Sequence, residues 1–233
     1  MTDANLAVEA LVRLHRNSNE SLHSIAARLG VAEIVEEPLP VDGVIGVDGQ
    51  HRTVIRISSG SSRQRQRFTL GHEIGHLILQ KTLRGAASCQ GDPELEGACD
   101  AIAAELLMPA SELIPFVREL GSPSPEKLVT TADRFGVSLA AAARRVHDDL
   151  KLWHRSVGLW LASQSPGQLW LVGKRALARR IPTFSAFKRA LDSPGVVRTR
   201  ESYWEGQTVR TACIEVLHLG NGYLLGMVAA LDR

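Results

Sequence analysis

The sequence has little cysteine and no long apolar run, and both absences narrow what the protein can be. Its cysteines, Cys89, Cys99 and Cys213, are too few in 233 residues for a disulfide framework, so we expect free thiols in a reducing compartment. No apolar stretch approaches the roughly 20 residues that a membrane-spanning helix needs. Residues 1–17 alternate apolar with charged side chains and lack the apolar stretch of a signal peptide. We therefore expect a soluble, cytoplasmic protein.

What the sequence does have is ordinary globular composition and two different hydrophobic periods. Hydrophobic residues make up 44% of the chain and charged residues 22%, and the length suits two or three small domains. Apolar residues recur at helical spacing in some stretches and alternate in others. In the first half, these periods predict a helical stretch, two or three short strands, a long helix, a loop and a second helix: residues 4–29, 31–57, 63–83, 84–91 and 93–108.

The second half is predicted to be helical first and then rich in strands. Residues 111–119, 125–134 and 138–151 have helical spacing, and the period then returns to two. Residues 220–222, Gly-Asn-Gly, are a strong signal for a hairpin turn between the last two strands. One more helix is predicted at 183–191, so the sequence predicts an α+β protein.

The pentad H-E-I-G-H, from His72 to His76, lies inside the long predicted helix. Spacing of i, i+4 places both imidazoles on one helix face, where they can share one zinc ion. Glu73 is rotated away from that face, so its carboxylate can meet the water that attacks a peptide carbonyl, take its proton and later deliver it to the leaving amine. The pentad therefore points to zinc-dependent peptide hydrolysis, although by composition it also arises by chance.

A catalytic zinc site needs a third protein ligand and one open position. The helix that begins at Pro93 offers four acidic residues: Glu94, Glu96, Asp100 and Glu105. Glu96 and Asp100 are four residues apart and share a face, so Glu96 can bind the metal while Asp100 accepts the free N–H of a zinc-bound imidazole. Glu94 and Glu105 are better explained as part of a solvated helix face.

Two longer motifs extend the histidine pentad and the acidic helix: R-F-T-L-G-H-E-I-G-H-L-I-L from Arg67 to Leu79 and E-G-A-C-D-A-I-A-A-E-L-L-M-P from Glu96 to Pro109. Together they resemble the ImmA/IrrE family of bacterial metallopeptidases, which are similar to compact thermolysin-like zincins. The resemblance implies a zincin domain with a small antiparallel sheet over 1–110, a helical, helix-turn-helix-like segment over 111–152, and a GAF-like sensor domain over 153–233. It also implies Zn²⁺ as the cofactor.

The same resemblance, which covers residues 20–150 well, implies a narrow substrate. Family members cut a partner helix-turn-helix repressor and so switch on stress, mobile-element or defence genes. Ile102 and Cys99 stand where the family usually has Phe and Ala, and both leave the expected ligands unchanged. The alternative is a DNA-binding regulator that keeps the zincin fold without peptidase activity. The intact ligands and general base favour the enzyme.

Residues 132–138 have the sequence pattern of the turn in a helix-turn-helix, in which a glycine turn is followed by a second helix with a Ser cap. The second helix carries both basic and acidic side chains: Arg144, Arg145, His147 and Lys151, with Asp148 and Asp149. Because mixed charge weakens attraction to phosphate, we favour a helical pair that completes the peptidase fold over a duplex-binding element.

The segment 174–210 carries nine Lys or Arg residues and three acidic ones. Aromatic residues lie between the basic ones, and this combination is what single-stranded DNA binding needs. The candidate nucleic-acid contacts are Lys174, Arg175, Arg179, Arg180, Lys188, Arg189, Arg198, Arg200 and Trp204. A solvated face with core aromatics explains the pattern equally well.

Cys89 lies in the loop between the two helices that carry the expected zinc ligands. A thiolate there could occupy the fourth coordination position and hold the enzyme latent. The simpler alternative is a loop thiol without function.

Overall fold

The structure is a computed structural model that describes residues 3–15, 20–82, 92–153, 157–165, 168–171, 185–205 and 207–230. The chain divides into two compact units. Unit 1 comprises Met1–Phe116 and Ala132–Ala141, and unit 2 comprises Val117–Thr131 and Ala142–Arg233. No helix in the described ranges is long and apolar enough to cross a membrane.

The elements of the first half follow the predicted order. They are α1 Asp3–His15, α2 Leu22–Arg28, β1 Val31–Glu37, β2 Gly43–Val47, β3 Thr53–Ser58, α3 Arg63–Thr82 and α4 Pro93–Leu107. The predicted strands and both long helices are confirmed. The predicted loop 84–91 falls outside the described residues.

The three-stranded sheet of unit 1 has the order β1-β3-β2. β2 pairs with β3 antiparallel, whereas β1 pairs with β3 parallel. The prediction of an antiparallel sheet is therefore wrong for one of the two strand pairs. The chain reverses twice between β1 and β3, so β3 runs in the direction of β1, and it lies between the other two strands.

One hydrophobic core joins this sheet to α3 and α4. Ile55 of β3, Ile74 and Ile78 of α3, and Ile102 of α4 are all fully buried in it. The apolar positions of α3 lie three and four residues apart, which places them on the face that packs against the sheet and α4. α3 also buries polar side chains, Gln66, Thr69, Glu73 and His76, and the Gln66 Nε2 donates a hydrogen bond to the Ser58 carbonyl at 3.1 Å.

The two ends of α4 are fixed by carboxylates. Asp92 is the N-cap, as predicted, and its Oδ1 accepts a hydrogen bond from the Glu94 N–H at 2.9 Å. At the other end, Glu105 Oε1 accepts from the Ala110 N–H at 3.1 Å. Glu105 is buried, so its assignment to a solvated face is wrong: the carboxylate satisfies a backbone donor at the start of the next helix.

The middle of the chain forms four further helical elements. They are α5 Ala110–Leu120, α6 Pro125–Phe135, α7 Leu139–Ala143 and a π-helix Arg144–Asp149. The single helix predicted over 138–151 is therefore wrong in its second half, where the hydrogen bonds span a wider turn and the Leu150 N–H reaches the Arg145 carbonyl. No Gly or Pro marks this change in the sequence.

The turn between α6 and α7 has the predicted chemistry. Gly136 has a φ of 60°, and the Ser138 Oγ accepts a hydrogen bond from the Ala141 N–H at 3.2 Å. Arg67 of α3 donates to the carbonyls of Phe135 and Gly136 at 3.2 and 2.7 Å. The positive φ favours glycine at this position, and a Cβ there would lie 2.0 Å from the Arg67 Nη1 and so displace that guanidinium.

Unit 2 contains a five-stranded sheet with the order β5-β4-β8-β7-β6, and every described pair is antiparallel. Its elements are β4 Val157–Ser165, β5 Gln168–Leu171, α8 Ser185–Leu191, β6 Val196–Glu205, β7 Thr208–Gly220 and β8 Tyr223–Ala230. The hairpin at Asn221 and Gly222 is confirmed, with both residues at positive φ. Strand β6 is not predicted from the sequence, because charged and polar residues dominate it.

Candidate metal centre

His72 and His76 project from one face of α3, and Glu96 reaches them from the first turns of α4. The two Nε2 atoms lie 3.2 Å apart, and the Glu96 Oε2 lies 3.0 Å from His72 Nε2 and 3.8 Å from His76 Nε2. These three side chains form a group that could hold a metal ion. Tetrahedral zinc with bonds of about 2.1 Å needs ligand atoms about 3.4 Å apart, and the three separations bracket that value. The donor set therefore fits the predicted metal.

The helices α3 and α4 can supply these ligands because they pack unusually close together. A Cβ on Gly75 would lie 3.0 Å from the Cα of Cys99, and one on Gly71 would lie 3.2 Å from the Cβ of Ala103. These small residues are spaced four apart on each helix, so they form one continuous line of contact. Each glycine immediately precedes a histidine, and the close packing brings both imidazoles within reach of α4.

Each imidazole also has a partner on its second nitrogen. Asp100 Oδ1 lies 2.9 Å from His72 Nδ1, and Cys99 Sγ lies 3.4 Å from His76 Nδ1. The hydrogen bond to Asp100 raises the pKa of His72 above its ordinary value, against the effect of burial. Burial, and then the neighbouring His72, lower the pKa of His76. Asp100 therefore lies where the sequence placed it, whereas the contact of Cys99 was not predicted.

Glu73 lies beside the ligand cluster, on the side that faces β2. Its side chain is buried, and this burial raises the pKa of the carboxyl, with the negative charge of Glu96 adding to the effect. A hydrogen bond from the Ile45 backbone and the proximity of His72 act in the opposite direction. A carboxyl with a raised pKa at the edge of a metal cluster is suited to take up and release a proton.

A cavity of about 180 Å³ opens next to Glu73. It is lined by Asp42, Gly43, Arg65, Phe68, Thr69, His72, Glu73 and Asp100. Gly43 is required at its wall, because a Cβ there would lie 2.3 Å from Thr69 Cγ2 and 3.4 Å from Glu73 Oε1. Arg65 and Asp42 form an ion pair at the same cavity. Sequence reasoning missed this wall, since nothing local shows which strand faces the histidine helix.

Several other predicted site residues are either separate from the ligand group or outside the described part of the chain. Glu94 is exposed and is not part of the ligand group. Cys89 lies outside the described residues, as do four of the basic candidates: Lys174, Arg175, Arg179 and Arg180.

The remaining basic candidates lie on two elements of unit 2. Lys188 and Arg189 are exposed on α8, and Arg200 is exposed on β6, which also carries Trp204. Arg198 is already engaged: its guanidinium lies 2.7 Å from Glu126 Oε1 and 3.3 Å from Glu215 Oε1. The structure therefore places these residues on neighbouring elements and gives Arg198 two internal partners.

In the predicted second helix of the helix-turn-helix, two basic side chains contact acidic groups of the same element instead of facing outward. Arg145 is almost fully buried, within 3.9 Å of Asp149. His147 Nδ1 lies 3.0 Å from the carboxylate of Asp148. The two basic side chains thus face acidic groups of the same helix, which supports a structural role for this element.

Comparisons with known proteins show the family to which the chain belongs. Residues 26–147 match the family model of the IrrE N-terminal-like domain of the M78 peptidases. The Radiation response metalloprotease IrrE of Deinococcus radiodurans is 32% identical over 127 residues. These residues make up 52% of this chain and 38% of that protein, so the chain matches well under half of the length of this relative. A solved Mycobacterium tuberculosis transcriptional regulator superposes with a TM-score of 0.59 over 99% of this chain and 89% of its own, at 16% identity, a likeness of fold alone.

Proposed function

Because this chain belongs to the family defined by the IrrE N-terminal-like peptidase domain, we propose that it is a zinc-dependent endopeptidase that cuts a cognate helix-turn-helix repressor at one site. Cleavage would release stress, mobile-element or defence genes from repression. The observation that carries the proposal is the convergence of three ligand atoms, on His72, His76 and Glu96, beside the buried carboxylate of Glu73. We further propose that unit 1 is a compact thermolysin-like zincin and that unit 2 contains a GAF-like sensor.

The chemistry that a zinc ion would supply when held by these residues is Lewis acidity, which polarises a peptide carbonyl and lowers the pKa of water. Glu73 accepts the proton of the water as its oxygen bonds to the carbonyl carbon. The same carboxyl then delivers that proton to the amide nitrogen as the C–N bond breaks. A carboxyl with an ordinary pKa is a weak base for taking the proton of water. The raised pKa makes Glu73 a better base for that step, while the protonated carboxyl is still acidic enough to deliver the proton to the amide nitrogen.

The orientation of the ligands comes from α4. Asp100 holds the imidazole of His72 through Nδ1, so that Nε2 faces Glu96 and His76. The cavity beside Glu73 supplies the space for a substrate side chain or backbone segment next to the reacting carbonyl. The family, rather than the cavity, supports a repressor as the substrate, because the cavity is small and lined by both charged and apolar groups.

The test uses the purified full chain loaded with zinc and a helix-turn-helix repressor encoded beside it. We expect one cut, identified by mass spectrometry, and little action on casein. Glu73→Gln should retain zinc and lose cleavage, whereas Glu94→Gln, a matched change at an exposed carboxylate of α4, should cleave normally. A zinc-loaded protein that leaves every candidate repressor intact and instead binds operator DNA would favour the alternative, a regulator without peptidase activity. Broad digestion of casein would contradict the narrow substrate.

Single-stranded DNA is the ligand that we propose for the basic segment of unit 2. The exposed side chains of Lys188, Arg189 and Arg200 support it, because cationic groups at the surface can follow a phosphate backbone. Arg189 also lies 3.9 Å from Glu201 Oε1, a separation at which the two charges attract only weakly in water. Arg198 is the weakest member of the predicted set, since it already lies between two carboxylates.

A further inference from the structure

The environment of His76 differs from that of His72 in one respect that bears on metal binding. His72 has a carboxylate partner on its Nδ1 atom, whereas the partner of His76 Nδ1 is the sulfur of Cys99, at 3.4 Å. Cys99 is 0% exposed and His76 is 8% exposed, so this contact lies inside the protein. Glu96, Cys99 and Asp100 stand at i, i+3 and i+4 of α4, which places all three on the face that meets α3.

The direction of the His76 ring defines which nitrogen must carry its proton. Nε2 faces the ligand cluster, with His72 Nε2 at 3.2 Å and Glu96 Oε2 at 3.8 Å. A neutral imidazole has one protonated and one unprotonated nitrogen, and only the unprotonated one can bind a metal. The proton must then lie on Nδ1, where the acceptor that the structure provides is the Cys99 sulfur.

We propose that Cys99 is a positioning residue of the metal centre: its sulfur accepts the Nδ1–H of His76 and so holds the ring in the tautomer and orientation that bind zinc. This inference rests on the proposed metal site. Sulfur is a weaker acceptor than a carboxylate, but a buried N–H without any acceptor is costly. Removing the sulfur favours ring rotation or the other tautomer, in which Nε2 carries the proton and the metal loses a ligand.

The size of the side chain at position 99 is also limited, because α3 packs closely against it. The backbone of Cys99 lies against Gly75 of α3, at 3.0 Å from a Cβ placed on that glycine. A longer acceptor such as Asp or Asn would have to fit into the same narrow space between the helices. A short, unbranched side chain with one acceptor atom meets both requirements, and cysteine and serine are the residues of that kind.

The experiment measures the zinc affinity of the full chain by competition with a chelator, together with the visible spectrum of the cobalt-substituted protein. Cys99→Val removes the acceptor and replaces the thiol with a somewhat larger apolar side chain, Cys99→Ala removes the acceptor without adding volume, and Cys99→Ser keeps an acceptor. We expect zinc affinity to fall about 10- to 100-fold in the Val and Ala variants and to remain within about threefold of the wild type in the Ser variant. Cys213→Val removes a thiol from β7 of unit 2 and should bind zinc normally.

A second measurement does not depend on the stability of any variant. In the zinc-loaded wild type, ¹⁵N-edited NMR of the histidine rings should show His76 protonated at Nδ1, with slow exchange of that proton. Wild-type affinity in Cys99→Val, loss of affinity in Cys99→Ser equal to that in Cys99→Val, or a His76 proton on Nε2 would each overturn the role of Cys99. Failure of the wild type to bind zinc would instead overturn the proposed function.

Discussion

Gly75 of α3 lies directly against the backbone of Cys99 on α4, so close that a Cβ on the glycine would stand 3.0 Å from the Cys99 Cα. Real Cβ atoms rarely come this near to another backbone, and neither helix backbone can move without moving the side chains it carries. Gly75 precedes the ligand His76, and Cys99 contacts the same imidazole. The geometry of the metal centre therefore depends on the distance between the two helices.

We predict that Gly75→Ala destabilises the protein, although alanine is the better helix former. The helix propensity of alanine contributes about 1 kcal/mol in favour, whereas overpacking against a backbone costs about 1–3 kcal/mol. We expect a net loss of up to about 2 kcal/mol in urea unfolding of the zinc-free protein, with weaker zinc binding. Gly97→Ala is the control, because Gly97 is exposed on α4 with open space around it, and it should gain about 0.5–1 kcal/mol. Equal gains in both variants would show that the helices separate without cost.

The three proposed ligands should each be necessary for metal binding. We predict about one zinc per chain by elemental analysis, and its loss in His72→Ala, His76→Ala and Glu96→Ala, because each change removes one of the three donor atoms. The exposed neighbour Glu94 provides the control, and Glu94→Ala should retain zinc. Full zinc in the Glu96→Ala protein would move the third ligand to Glu94 or Asp100.

The helices α3 and α4, and the face on which each carries its candidate ligands, could be predicted because their determinants are local. Spacing within α3 and α4 places His72, His76 and Glu96 on definite faces, and the N-cap at Asp92 is visible in the sequence. The parallel pairing of β1 with β3 could not be predicted in this way. It arises because β3 lies between β1 and β2 in the sheet, and the sequence of one strand does not show which strands will be its neighbours. Buried polar contacts such as that of Glu105 also need the tertiary structure, because the side chain alone does not show what backbone donor lies nearby.

Single-stranded DNA binding should depend on the exposed basic residues of unit 2. Combined Lys188→Glu, Arg189→Glu and Arg200→Glu changes should weaken binding strongly and reduce the slope of log affinity against log salt, by about 0.7 for each phosphate that is no longer neutralised. The measurement is fluorescence anisotropy of a labelled oligonucleotide at several salt concentrations. The matched control reverses exposed charges in unit 1, Lys81→Glu and Arg134→Glu. Equal binding by all the proteins would leave the basic segment as a solvated face.

Cys89 remains the candidate for an inhibitory zinc ligand. The segment that contains it joins the end of α3 at Thr82 to the N-cap of α4 at Asp92, so it connects the two helices that carry the ligands. Zinc accepts a thiolate at about 2.3 Å, and a thiolate would block the open position. Cys89→Ser is predicted to raise basal cleavage of the repressor without an inducer, and Cys213→Ser serves as the control. Unchanged basal cleavage would remove Cys89 as a switch.

Glu126 and Arg198 of unit 2 predict a dependence of stability on pH that is separate from the metal centre. Burial raises the pKa of Glu126, but hydrogen bonds from its own backbone and Ser124, with Arg198 at 2.7 Å, outweigh burial and lower the pKa overall. A carboxyl whose pKa is lower in the folded protein stabilises the fold above its unfolded pKa, and this contribution disappears as the pH falls through the folded value. Glu126→Gln should therefore lower the free energy of unfolding at pH 7, and the difference from the wild type should shrink progressively below about pH 4.5.

This difference in the free energy of unfolding is measured by urea unfolding at a series of pH values, followed by a probe in unit 2. Glu119→Gln, at an exposed carboxylate of α5 in the same unit, is the control and should follow the wild type throughout. A difference that stays constant from pH 7 to pH 3 would contradict a stabilising role for the negative charge of Glu126.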